Sequence, residues 1–186
     1  ALARLARGKK LVVDVGCFAG GSALAMLPEI AKSEGRLIAI DTFQGTKGEY
    51  TATFSANAVI SRFRSRTNNY IDRITTIVGR SDVGTLFQPG AADLVFLDAA
   101  HDYEAVARDI ETWWPVVSLG GILAGHDYDC HADECDSQRL RDLSSQDYTK
   151  EDNRHYGVIR AVDEAFGRPG KEARVCSHSD MSQMCG

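Results

Sequence analysis

The chain has 186 residues, 44% hydrophobic and 25% charged, with a formal net charge of −5. That is the make-up of a soluble, single-domain globule with a buried core. The acidic balance argues against a dedicated nucleic-acid or membrane surface, because both partners are anionic and are met by basic patches. No apolar run approaches the ~18 residues of a membrane span. The start, Ala1 to Arg7, is too short and too charged for an intact signal peptide and has no initiator Met. It reads as a trimmed chain of the cytoplasm.

Leu11 to Val15 is an apolar run that breaks into the glycine-rich turn Gly16-Cys17-Phe18-Ala19-Gly20-Gly21-Ser22. A buried strand feeding a loop this poor in side chains lets the backbone approach a ligand, and the following helix offers unpaired N–H groups to a negative group. The spacing predicts that helix over Ser22 to Lys32, with Gly35 as its C-cap. Arg36 to Asp41 is a second strand, ending in a carboxylate placed to hold ribose hydroxyls. The polar stretch Thr42 to Asn57 leads to helical character over Ala58 to Tyr70. Arg62, Arg64, Arg66 and Arg73 read as a solvated helix face, with contact to an anionic substrate as the alternative. Ile74 to Gly79 is a β-branched third strand, Arg80 to Asp82 caps a weak helix, and Ala92 to Asp98 is a fourth strand that again ends in an acid.

His101 and Asp102 open a helix in which Tyr103, Val106, Ile110, Trp113 and Val117 are spaced by threes and fours, with Gly120-Gly121 as its stop. Ile122 to Asp127 is the fifth strand, 129–154 reads as a polar insertion loop, Gly157 to Gly167 as a helix, and Ala173 to Cys185 as a closing hairpin. Cys130, His131, Asp133, Glu134 and Cys135 could in principle bind a metal, but a polar surface loop explains them better. The five cysteines match no standard zinc spacing, so free thiols are the default and a late disulfide stays open.

Five strands alternating with helices give a parallel sheet covered on both faces, with ligands at the carboxyl ends of its strands. On that rule Gly16 to Ser22, Asp41, Gly79 to Ser81, Asp98 to His101 and His126-Asp127 share one rim. A single such acid is better explained by a helix cap or turn. Three of them beside a glycine turn are not.

Asp14 to Ser22, Leu97 to Glu104, Gly120 to Tyr128 and Gly157 to Glu164 resemble, in order, the motifs of class I S-adenosylmethionine-dependent methyltransferases. The likeness is strongest to the small-molecule O-methyltransferases of the catechol and caffeoyl-coenzyme A type and to the macrocin O-methyltransferase and cephalosporin hydroxylase-like group. The resemblance implies an α/β, Rossmann-like fold: one domain over 1–186 with a doubly wound, mostly parallel seven-stranded sheet and a closing antiparallel hairpin. It implies S-adenosylmethionine as cofactor. Asp14, Gly16, Cys17, Phe18, Gly20 and Ser22 would surround its methionine part, Asp41 and Thr42 its ribose, and Arg80 and Ser81 its adenine, with Asp98 also in the site.

The same resemblance implies a divalent cation, Mg²⁺ or else Mn²⁺ or Ca²⁺, held by Asp98, His126 and Asp127. An imidazole ligand would tilt the choice towards Mn²⁺, Fe²⁺ or Zn²⁺. The catechol type carries a lysine base three residues after its first metal acid, where this chain has His101. An imidazole with a reference pKa near 6.5 can take the acceptor's proton, so His101 and Asp98 are the expected catalytic pair. A hydrogen bond to a metal ligand is the competing role for His101, and packing at the strand end the competing role for His126. The family usually has helices ahead of its first strand that cover the acceptor and support a homodimer. Here ten residues precede Leu11, so that cap is expected to be missing. The stretch 129–154 then becomes the candidate lid, with Tyr128, Tyr148 and His155 as acceptor contacts. The expected partner is a small-molecule hydroxyl acceptor, neither nucleic acid nor membrane. Two alternatives stay open. A nicotinamide-dependent oxidoreductase fits poorly, because the glycine spacing departs from Gly-x-Gly-x-x-Gly. A cofactor-binding domain without transfer activity would keep the fold alone.

Overall fold

The computed structural model describes residues 1–45, 50–149, 151–152 and 154–167. They form two compact units, the first of residues 1–99 with 112–123, the second of residues 100–111 with those from 124 onwards.

In the first unit β1 (Leu11–Val15), β2 (Arg36–Asp41), β3 (Ile74–Val78), β4 (Ala92–Leu97) and β5 (Val117–Gly125, whose last two residues belong to the second unit) make one sheet in the order β3-β2-β1-β4-β5. The pairs β1–β2, β1–β4 and β2–β3 are parallel. Central β1 is apolar apart from Asp14 because both its faces are covered, and Val12 to Val15 are all buried. Its core neighbours are Ile40, Ala92, Val95, Trp113 and Val116, each apolar side chain contributing roughly 1.5–3 kcal/mol by burial. The register sets Val15 opposite both Ile40 and Leu97. Gly16, Asp41 and Asp98 therefore leave the sheet at one level, with Gly79 N–H donating to Asp41 O at 3.0 Å beside them.

The class is as expected, with differences in detail. The sheet has five strands among the described residues rather than seven, and the hairpin expected at 173–185 lies outside them. A short helix α1 (Leu2–Ala6), which the sequence reading did not anticipate, packs against α2 (Gly21–Lys32). At the end of α2 Glu34, at φ 54°, takes the left-handed position; Gly35 follows it and donates to Ile30 O at 2.9 Å. Helix α3 (Ala56–Thr67) begins on a Ser55 cap and buries Val59, Phe63 and Thr67. Helix α4 (Tyr103–Trp113) stops ahead of Pro115, whose ring and missing N–H end the regular pattern, and one 3₁₀ turn leads directly into β5. Gly120-Gly121 accordingly lie inside β5 rather than ending the helix.

In the second unit the stretch expected as a bare loop holds a 3₁₀ turn at Ala132–Glu134, α5 (Ser137–Leu143) and an antiparallel bridge between Thr149 and Arg154. Asp136 caps α5 by accepting from the N–H groups of Gln138 and Arg139. Helix α6 (Tyr156–Phe166) meets the start of α4 at Gly157, where a Cβ would stand 2.3 Å from His101 O and 2.4 Å from Tyr103 N. No described helix is long and apolar enough to cross a membrane.

Candidate functional site

In the first unit β1 delivers Asp14 and Gly16 to the carboxyl edge of the sheet. Gly16 adopts φ 89°, and a Cβ there would lie 1.9 Å from Asp98 O, so only glycine lets the loop cross the end of β4. The loop is then tied to β2. Phe18 N–H donates to Asp41 Oδ2 at 2.7 Å and Phe43 N–H to Asp41 Oδ1 at 2.5 Å. Each oxygen keeps a further lone pair, so Asp41 can still accept ligand hydroxyls. Burial holds Asp41 above the ordinary carboxylate range against these two N–H groups.

Asp14 is fully buried. Its Oδ2 accepts from Ser22 Oγ at 2.7 Å, while no donor among the described residues reaches Oδ1. Burial pushes Asp14 up to about 7; the Ser22 hydroxyl opposes this, and the charges of Asp98 and Asp41 add to it. A buried acceptor in this state calls for a donor, above all a cationic one. The residues therefore fit a ligand that brings an ammonium group to Asp14 and hydroxyls to Asp41 past a glycine turn.

The other expected cofactor residues line the same edge. Gly20 is the left-handed cap of α2. Cys17 is 2% exposed, and burial raises its thiol, so it packs as a small apolar residue. Thr42 Oγ1 accepts from Gln44 N–H at 3.3 Å. Arg80 and Ser81 follow Gly79 past β3; Arg80 is exposed, and Ser81 O accepts from Trp113 Nε1 at 3.1 Å. Arg66 lies on the exposed face of α3, as expected, and also donates to Ala19 O at 3.0 Å, which ties α3 to the glycine turn.

In the second unit His101 is buried between two carboxylates. Its N–H donates to Asp147 Oδ1 at 2.7 Å, its Nδ1 stands 3.3 Å from Asp147 Oδ2, and its Nε2 stands 3.1 Å from Asp127 Oδ2. Asp127, in the left-handed region at φ 61°, also meets His126 Nδ1 at 2.7 Å and His155 Nδ1 at 3.7 Å. Burial works to raise Asp127, but the hydrogen bonds of His101 and His126 and the charges of His101 and His155 outweigh it and hold this carboxyl well below the usual range. Burial lowers His155, with the charge of Asp127 opposing. The rings of His101 and His155 lie 4.6 Å apart, and Tyr148 lies 5.6 Å from His155. Ligand atoms of His101, Asp127 and His155 fall within 4.8 Å of one another, close enough to share a cation.

The structure thus joins Asp14, Gly16, Phe18, Ser22 and Asp41 in one unit and His101, His126, Asp127 and His155 in the other, while Asp98 stands at the end of β4 in the first. Tyr128, expected at the acceptor, uses its hydroxyl on Asp163 Oδ1 at 2.5 Å. Asp147 was not foreseen. It lies 46 residues from His101 in a stretch without periodicity, and no local signal marks it.

Compared by sequence with curated proteins, the chain has no significant match. Its fold is similar to that of cofactor-bound Rv0187 from MTB, at 18% identity and TM-score 0.60 over 91% of this chain and 67% of that one. It is also similar to a candidate caffeoyl-CoA O-methyltransferase from Staphylococcus aureus, at 15% and 0.55 over 91% and 71%. SAH-bound methyltransferase PaMTH1 of Podospora anserina matches at 20% and 0.52 over 84% and 60%. At these identities the likeness is one of fold. The Methyltransferase domain family model, by contrast, matches residues 13–128, well over half of the sequence, from the strand bearing Asp14 to the residue after Asp127. The chain belongs to the methyltransferase-domain family and has the class I S-adenosylmethionine-dependent methyltransferase fold.

Proposed function

We propose that the chain is an S-adenosylmethionine-dependent O-methyltransferase that acts on a small-molecule hydroxyl with the help of a divalent cation. The observation that carries the reading is Asp14 Oδ1, fully buried under a glycine turn with no donor among the described residues. Bound S-adenosylmethionine supplies a methyl group on a positively charged sulfur. Asp14 receives the ammonium of its methionine part, Gly16 and Gly20 keep side chains out of its way, and Asp41 accepts its ribose hydroxyls while clamping the turn.

Transfer to oxygen needs the acceptor aligned and its proton removed. His101 takes that proton on Nε2, the nitrogen facing Asp127, from its neutral form and with Asp127 turned to the cation. Asp147 orients the imidazole through Nδ1, as a carboxylate behind a catalytic histidine does. A divalent cation, where bound, lowers the pKa of a coordinated hydroxyl. Asp127 is the carboxylate offered to it in the second unit, and neighbouring imidazoles suit Mn²⁺, Fe²⁺ or Zn²⁺ better than Mg²⁺.

Calorimetric titration with S-adenosylhomocysteine and with NAD, repeated on Asp41→Ala, tests the cofactor assignment. Binding of the first alone, lost in the variant, is expected. A folded protein that binds neither sinks the proposal. Titration with Mn²⁺ and Mg²⁺, repeated on Asp127→Ala, tests the cation, and a screen of phenol and sugar hydroxyls with labelled methyl donor follows.

A further inference from the structure

After Tyr128 the second unit makes a tight turn. Glu134 N–H donates to His131 O at 3.0 Å and Cys135 N–H to Ala132 O at 3.2 Å. This brings the Sγ atoms of Cys130 and Cys135 to 3.2 Å. The turn is seated on α6, where Asp163 accepts from Tyr128 OH at 2.5 Å and from Ala132 N–H at 2.6 Å. Tyr128 OH also meets His131 Nδ1 at 2.7 Å. Both cysteines are free and half-buried, and methyl transfer uses neither. Among the described residues neither belongs to a group of three donors able to hold a metal.

The geometry points to Cys130 and Cys135 as a modification site at which oxidation forms an intramolecular disulfide that covalently closes the 130–135 turn. Two sulfurs already in contact on an anchored backbone need little movement to bond. The oxidant is a small disulfide such as oxidised glutathione. One cysteine thiolate attacks a glutathione sulfur and releases the first glutathione thiol. The other cysteine attacks the mixed disulfide, forms the Cys130–Cys135 bond and releases the second. The two cysteine protons are balanced by those on the two glutathione thiols, and glutathione takes both electrons. Burial and the Cys135 sulfur push the Cys130 thiol up to about 12, with the charge of Arg154 opposing. The staple fixes the segment that leaves Asp127 and Tyr128. The ring is short, so its effect is local rigidity more than global stability.

The test is incubation of the full chain with oxidised or reduced glutathione, blocking of free thiols with iodoacetamide, and cleavage at acidic residues, which cuts between the cysteines at Asp133 and Glu134. Expected after oxidation are peptides of Cys130 and Cys135 joined and lighter by two hydrogens, with a higher thermal midpoint than the reduced protein. That rise should be absent in Cys130→Ser/Cys135→Ser. Buried Cys17 should stay a thiol throughout. Full alkylation of both cysteines after oxidation, stable glutathione adducts, bridges to Cys176 or Cys185, or a bound metal ion on the pair would each overturn the assignment.

Discussion

Replacing Asp14 by Asn tests the cofactor cradle through its dependence on pH. The folded protein holds the Asp14 proton to pH about 7, whereas the unfolded chain releases it near 3.8. Between those values the folded state binds more protons, so wild-type stability falls as pH rises across the window and the loss is complete above it. At about 1.4 kcal/mol per unit, the ionised carboxylate costs the ligand-free protein roughly 4 kcal/mol above neutrality. Asn has nearly the same volume and never ionises. In urea titrations Asp14→Asn should therefore gain on wild type by about that amount between pH 4 and 7.5. Ligand binding should show the opposite signature. If an ammonium group sits on Asp14, S-adenosylhomocysteine must drive off the proton below pH 7. Its affinity for the wild type should rise about tenfold per pH unit up to 7 and then level off, while Asp14→Asn binds more weakly with a flat profile. Calorimetry from pH 5.5 to 8 reads both, and parallel profiles in the two proteins would refute the reasoning.

Gly16→Ala should lose about 3 kcal/mol or more in denaturant titration, because a left-handed residue acquires a Cβ inside the end of β4; a wild-type midpoint would contradict the close approach. Asp41→Asn places an amide where one of two N–H donors needs an acceptor. It should cost about 1–3 kcal/mol and weaken S-adenosylhomocysteine binding, both measurable on one sample by thermal shift with and without ligand. Asp147→Asn should leave cofactor affinity unchanged and lower kcat by about 10²-fold or more on any acceptor that supports turnover. An unchanged pH–rate profile in that variant would show that Asp147 does not orient His101.

Residues 36–41 and 74–79 could be read as strands because β-branched and apolar residues bounded by turns mark strands locally, and the structure returns them almost residue for residue. The apolar spacing from Tyr103 runs on through Val117 to the glycine pair, but α4 ends at Trp113 because Pro115 acts on the backbone preceding it. The stretch 129–154 hid α5, since seven residues are too few to show an amphipathic repeat.

The sequence by itself determined the alternation of strands and helices, the glycine turn and the acids at strand ends. Each of these is dictated by the period of burial or the φ of a few neighbouring residues. Only the tertiary structure decided that Asp41 clamps Phe18 and Phe43, that Asp14 keeps one oxygen without a donor among the described residues, and that Asp147 stands behind His101. These depend on which distant backbone groups the sheet register and helix packing bring together, and such pairings leave no periodic trace along the chain.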